Sequence, residues 1–370
     1  MSTLAEFRAA LADGRDEHVI VELAAGERAE LDALCAQHRV RLVDTLDDQL
    51  LEWARTALPG EPKGEAAHQA AIEAERGPDA AAYGVWVFFP WLSLVTHLLP
   101  RERFRAVRTN RNRDKITHDE QQRLLTRSIG VVGLSVGHAS ALVIAQEGLC
   151  DELRIADFDH IELSNLNRLR TSLANLGVAK IDVTRREIAE IDPFIRVRCY
   201  PQGLTDDTLE DFLTGGGAID LLVEECDTLP MKLTVREACR AEGIPVIMDT
   251  NDRGLLDVER FDLEPDRPVL HGLFGGVTGE EAASMAPADR MQLFYGFFGG
   301  EDRISPALQA SLKRIGSELV SYPQLSSDVH LGAALVAHAA RLVLLGRLEG
   351  SGRYRIDLDE LLRVEKGTQV

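Results

Sequence analysis

From Ser128 onward the sequence alternates short apolar runs with amphipathic stretches, and this alternation restricts the fold more than any other feature. Ile129-Gly130-Val131-Val132-Gly133 is the first run, and a helix is predicted from there to about Glu147. Residues 153–157, 195–200, 219–224 and 244–248 read as further strands, with helices at 180–191, 209–213 and 231–242. Strands rich in β-branched residues and separated by helices form a mostly parallel sheet covered on both faces. Such sheets bind their ligands beyond the carboxyl ends of the strands.

The flanks follow other patterns. Helical spacing recurs at 4–11, 28–34 and 46–57, so residues 1–104 are expected to form a mainly helical region. Pro59-Gly60-Glu61-Pro62 opens a polar, alanine-rich stretch to about residue 82. Residues 84–99, with Trp86, Phe88 and Phe89, read as a buried segment that docks this region onto the rest. Residues 105–260 hold the alternating pattern. Residues 261–370 are expected to complete it, with a helical insertion at about 279–321, a long apolar helix at 329–345 and a last strand at 353–358.

Composition narrows the functional classes. A formal net charge of −19 is wrong for a duplex nucleic-acid binder, which needs a basic face to neutralise phosphates. The five cysteines are scattered without a C-x-x-C pair, so no zinc site is expected and a reducing cytoplasm suits them. No basic segment followed by an apolar one marks the amino terminus, so no signal peptide is expected. Residues 85–99 are too short and too interrupted for a membrane span.

The chemistry-bearing residues follow the strands. Gly133-Leu134-Ser135-Val136-Gly137 joins the first strand to a helix, either as a tight turn or as a loop whose backbone approaches a phosphate at a helix N-terminus. Asp157 ends the second strand, where a carboxylate can accept from both hydroxyls of a ribose or simply cap a turn. Asp159, Asn165, Asn167 and Arg168 crowd the next segment, and Arg168 offers a planar donor to phosphate. Lys180 opens a helix, where the macrodipole disfavours a cation unless an anion lies beside it. Glu224, Glu225 and Asp227 end the fourth strand as a carboxylate cluster that needs a cation or donors, and magnesium on a triphosphate would supply the charge. Ahead of the first strand, Arg108 to Lys115 forms a basic run, either a solvated face or a source of arginines for a triphosphate.

In this order the residues resemble the ubiquitin-activating-enzyme-like superfamily, the ThiF/MoeB/HesA adenylyltransferases. The resemblance covers about 140 residues, carried by Arg111 or Arg113, the loop of Gly133, Ser135 and Gly137, Asp157 and Asp159, Ser164-Asn165-Leu166-Asn167-Arg168, Gly177 to Lys180, and Asp227. It implies an α/β fold with a Rossmann-like, doubly wound, mostly parallel sheet. It also implies ATP and Mg²⁺ as cofactors: Asp157 on the ribose, Asn167, Arg168 and Lys180 on the phosphates, and Asp227 on Mg²⁺. The substrate would be a carboxylate on a peptide, a carrier-protein tail or a small acid, converted to an acyl-adenylate and pyrophosphate. In family dimers the arginine segment completes the partner's site, so a homodimer is implied.

Three departures matter. Ser135 and Val136 stand where the family loop carries glycines, paired zinc cysteines are missing, and no cysteine follows Cys239. The implied chemistry is therefore adenylation without an enzyme thioester, the acyl group passing directly to an acceptor. Two rivals are an NAD(P)-binding oxidoreductase, which has no use for Arg168, Lys180 and Asp227 together, and a non-catalytic scaffold subunit, which the altered loop favours slightly and the intact set of Asp157, Arg168, Lys180 and Asp227 argues against.

Overall fold

The computed structural model describes residues 3–14, 16–63, 65–78 and 82–362. The chain divides into two compact units, Met1–His118 with Asp192–Phe194, and Asp119–Ile191 with Ile195–Val370.

The first unit is built on a four-stranded sheet that the helical spacing did not announce. Its strands are β1 (Val19–Val21), β2 (Arg41–Asp44), β3 (Val85–Phe89) and β4 (Leu94–Leu98), in the order β1-β3-β4-β2. β3 is antiparallel to both β1 and β4, and β2 runs parallel to β4. All five residues of β3 are buried. Trp86 and Phe88 pack with Leu4, Phe7, Leu31 and Cys35, which come from the helices Leu4–Asp13 and Arg28–His38. The apolar segment at 84–99 is thus the central hairpin of this unit's own sheet. The helix expected at 46–57 is present as Leu46–Ala57. The alanine-rich stretch after it contains a further helix, Ala66–Arg76, while its residues 79–81 lie outside the described residues.

The second unit carries the alternating pattern. Its strands are β5 (Ser128–Val132), β6 (Glu152–Ala156), β7 (Arg196–Tyr200), β8 (Leu221–Glu224), β9 (Val246–Thr250), β10 (Leu255–Glu259) and β11 (Gly352–Arg355). They form one sheet in the order β11-β10-β9-β8-β5-β6-β7. β7, β6, β5, β8 and β9 are mutually parallel, and β10 and β11 add an antiparallel edge. β5, β6 and β7 step outward one way and β8 and β9 the other, so the strand order reverses between β5 and β8. A doubly wound sheet opens its ligand crevice at that point.

The helices Gly137–Glu147, Lys180–Ile191, Leu229–Glu242 and Ser326–Leu344 match the expected positions within a few residues. The expected insertion contains the helices Gly279–Ser284, Pro287–Phe298 and Pro306–Leu312. Phe297 and Phe298 of the second of these bury against Leu233, Met248 and Phe274. Among the described residues no helix is long and apolar enough to cross a membrane.

Candidate active site

Gly133 follows β5 with φ of 83°, in the left-handed region that favours glycine. A Cβ there would fall on the carbonyl oxygen of Glu225, at the end of β8. Gly137 starts the next helix, and a Cβ on it would lie 2.8 Å from Val131 Cγ1. The two glycines therefore let the loop press into the crevice between β5 and β8, although its centre is Leu134-Ser135-Val136.

Asp157 fixes this loop. Its carboxylate accepts from the Leu134 N–H at Oδ2 (2.6 Å) and from the Asp159 N–H at Oδ1 (2.7 Å). Burial raises its pKa, and the two amide donors and Lys180 oppose the rise. Each oxygen keeps a further lone pair for a ligand hydroxyl. Lys180 is buried and reaches back to the same loop, donating to Asp159 Oδ2 (2.8 Å) and Ser135 Oγ (3.1 Å). The anion that its place at a helix start demands is thus Asp159.

The segment after β6 folds as a 3₁₀ turn, Leu163–Asn167. Asn165 is buried and accepts from the Glu162 N–H (3.0 Å), which closes the turn. Asn167 is exposed and donates to the Gln324 carbonyl (2.7 Å) while accepting from Arg168 Nη1 (3.1 Å). Arg168 is half-buried. Burial lowers its pKa, while Tyr322, Asp227 and Glu162 raise it. Its Nε is buried without a hydrogen-bond partner among the described residues. Arg111 and Arg113 are exposed residues of the first unit, at and just after the 3₁₀ turn Asn110–Asn112.

The carboxylate cluster after β8 resolves differently from the magnesium-neutralised trio expected. Glu224 is fully buried and is neutralised from the helix Leu229–Glu242. Lys232 Nζ donates to its Oε1 (3.1 Å), and Arg236 donates to its Oε2. Those cations hold Glu224 at about 2 against its burial. Glu225 points to β9, where its Oε1 accepts from the Asp249 N–H (3.0 Å). Only Asp227 of the three is exposed. Among the described residues no three His, Cys, Asp or Glu side chains are gathered closely enough to hold a metal ion. Asp227 could still give one oxygen to Mg²⁺ carried on phosphates, the usual way this ion is held. Cys226 and Cys239 are buried free thiols whose pKa values burial raises, so both are poor nucleophiles.

Beside Asp227 lies a cavity of about 160 Å³ that the sequence did not reveal, with Val136 of the glycine loop at its edge. Asp249 lines it at 3% exposure, and among the described residues its carboxylate oxygens meet no donor apart from the neighbouring Glu225 carboxyl. Gly332 makes room for this group, since a Cβ there would overlap the carboxylate. Burial pushes Asp249 up to about 7 and raises Glu225 well above the usual carboxylate range, so the pair shares a proton.

This pair gives stability a definite pH dependence. The folded pair binds protons more tightly than the unfolded chain, whose carboxyl groups titrate near ~4. Its contribution is therefore full below that value and is lost as pH rises toward about 7. Asp249→Asn is expected to raise the melting temperature at pH 8 by several degrees and to narrow its difference from the parent at pH 5. An equal shift at both pH values, measured by calorimetry, would contradict the shared proton.

The sequence model of the ThiF family matches residues 109–300, more than half of the chain. The chain belongs to the ThiF family. Among relatives, an uncharacterized protein of Mycobacterium tuberculosis is 42% identical over 277 residues, covering 75% of this chain and 38% of that protein. The tRNA threonylcarbamoyladenosine dehydratase of Bacillus subtilis is 27% identical over 156 residues, covering 42% of this chain and 60% of that enzyme. Ubiquitin-like modifier-activating enzyme 5 of Bombyx mori is 27% identical over 179 residues, covering 46% and 43%. The chain thus spans less than two thirds of each of these relatives. Among solved structures, the Escherichia coli tRNA N6-threonylcarbamoyladenosine dehydratase in complex with AMP superposes with a TM-score of 0.47 at 16% identity. That match covers 65% of this ThiF-family chain and 96% of the other.

Proposed function

We propose that this ThiF-family protein adenylates a carboxylate with ATP, releasing pyrophosphate, and passes the acyl group on without an enzyme thioester. The observation that carries the reading is Arg168: a half-buried guanidinium whose Nε has no partner among the described residues, close enough to Asp227 to feel its charge, on the segment that follows β6. A planar donor with unused N–H capacity suits phosphate oxygens. The backbone of the Gly133 loop and the N-terminus of the helix Gly137–Glu147 add anion-binding groups, and Lys180 is tied to the same loop. In this reading Asp157 accepts from the ribose. Asn167, Arg168 and Lys180 hold phosphates, and Asp227 holds Mg²⁺, which would neutralise developing charge. Catalysis is then positioning and charge stabilisation around an in-line displacement at the α-phosphorus.

The substrate is a peptide or protein C-terminus, a ubiquitin-like or sulfur-carrier tail, or a small acid. A net charge of −19 argues against a nucleic-acid substrate of the kind named for the dehydratase relatives. Exposed Arg111 or Arg113 would act in the partner's site of a homodimer, and sedimentation as a single chain would remove that element. Titration calorimetry separates this reading from its rival. ATP with Mg²⁺ is expected to bind at micromolar concentration and NADH not to bind. Tight NADH binding without ATP binding would promote the oxidoreductase instead.

A further inference from the structure

The cavity beside Asp227 is more specific than a general substrate cleft. Its walls divide by chemistry: Glu225, Asp249 and Asp252 supply carboxylates, and Phe294, Phe297 and Tyr322 supply aromatic surface. The cation that lines it, Lys232, is engaged with Glu224, its Nζ 3.1 Å and 3.4 Å from the two carboxylate oxygens. The pocket therefore presents more carboxylates than cations next to aromatic faces, a combination that favours an organic cation. A divalent metal fits less well, because no three of the described acidic, histidine or cysteine side chains converge closely enough to hold one. The decisive group is Asp249: buried, lining the cavity, without a donor among the described residues other than the Glu225 carboxyl, and given space by Gly332.

We propose that this pocket binds a primary ammonium group on an apolar body, and that this amine is the acyl acceptor of the reaction. Its role as acceptor rests on the adenylation reading; its binding does not. Bound as the ammonium, the ligand gives one proton to the Asp249 carboxylate. The freed lone pair attacks the acyl carbon and the C–N bond forms. The C–O bond to AMP breaks, its electron pair leaving on the phosphate oxygen, and the second proton on nitrogen passes to solvent. The products are an amide and AMP, and no cysteine takes part. Val136 of the glycine loop and Asp227 both line the cavity, which places it against the expected phosphate site.

The test uses the full chain without ATP and three probes of one shape: phenethylamine, 2-phenylethanol and phenylacetate. Phenethylamine is expected to bind at least about tenfold more tightly than either of the others by calorimetry. Asp249→Asn alone leaves Glu225 free to carry the charge and should weaken binding only in part. Glu225→Gln with Asp249→Asn removes both buried carboxylates, leaving Asp227 and Asp252, and should remove most of the preference for the amine, while melting temperatures confirm that both variants fold. Equal binding of the three probes, no binding of any at millimolar concentration, or an unchanged preference in the double variant would overturn the inference. Pyrophosphate exchange reads the adenylation step separately, so amine binding without exchange would overturn only the acceptor role.

Discussion

Replacing Arg236 with alanine is expected to cost about 3–5 kcal/mol of folding stability, the usual penalty for removing one partner of a buried ion network. Arg236 is fully buried and ties two strands together. It donates from Nη1 to Glu224 at the end of β8 and from Nε to Glu259 Oε2 on β10 (2.7 Å). Without it Lys232 still faces Glu224, but Glu259 loses its guanidinium partner in a site where burial already raises its pKa. Glu259 must then take a proton or draw in water. Arg236→Lys keeps the charge without the planar fork and should fall between the two. Chemical denaturation measures the loss, and a change below about 1 kcal/mol would show that the network is not what holds β8 and β10 together.

The second large effect falls on activity. Lys180→Ala and Asp227→Ala are each expected to lower ATP–pyrophosphate exchange by about 10²–10³-fold, the usual consequence of deleting one group that stabilises developing charge. They should differ in stability. Asp227 is exposed, so its removal should leave the melting temperature within a degree or two of the parent. Lys180 is buried between Asp159 and Ser135, so its loss should also loosen the glycine loop and lower the melting temperature. Exchange kinetics and melting curves on the same samples separate the two contributions. Full exchange by Asp227→Ala would remove this residue from the mechanism.

The parallel sheet was legible because its strands are apolar runs and its helices are amphipathic. The helix Lys180–Ile191 begins and ends where the glycine turn at Gly177 and the Asp192-Pro193 stop place its limits. The sheet of the first unit was not legible, since β1 and β2 are short and only partly buried and give no clear alternation. β10 escaped for another reason: it is buried throughout, with Asp257 and Glu259 inside, and those charged letters break up the apolar run that would mark a buried strand. In the site, the glycine loop, Asp157, Arg168, Lys180 and Asp227 were all named from the sequence. The partners of the acidic cluster were not, because they come from other elements. The spacing of Lys232 and Arg236, one helical turn apart just after an acidic strand end, carried part of that signal. The Glu225–Asp249 pair depends on register. Val223 pairs with Ile247 across β8 and β9, which brings positions 225 and 249 level one step further on. That alignment needs the strand pairing, which no local pattern supplies.

If the crevice between β5 and β8 activates a carboxylate with ATP, that step releases pyrophosphate reversibly. ATP–pyrophosphate exchange tests it most directly, run with Mg²⁺ against free amino acids, amino-terminal and carboxyl-terminal peptides, and carrier-protein tails ending in Gly-Gly. Exchange is expected to require one carboxylate class, to require Mg²⁺, and to be lost in Lys180→Ala and Asp227→Ala. Exchange that is absent across the panel from a protein that binds NADH tightly and ATP not at all would contradict it.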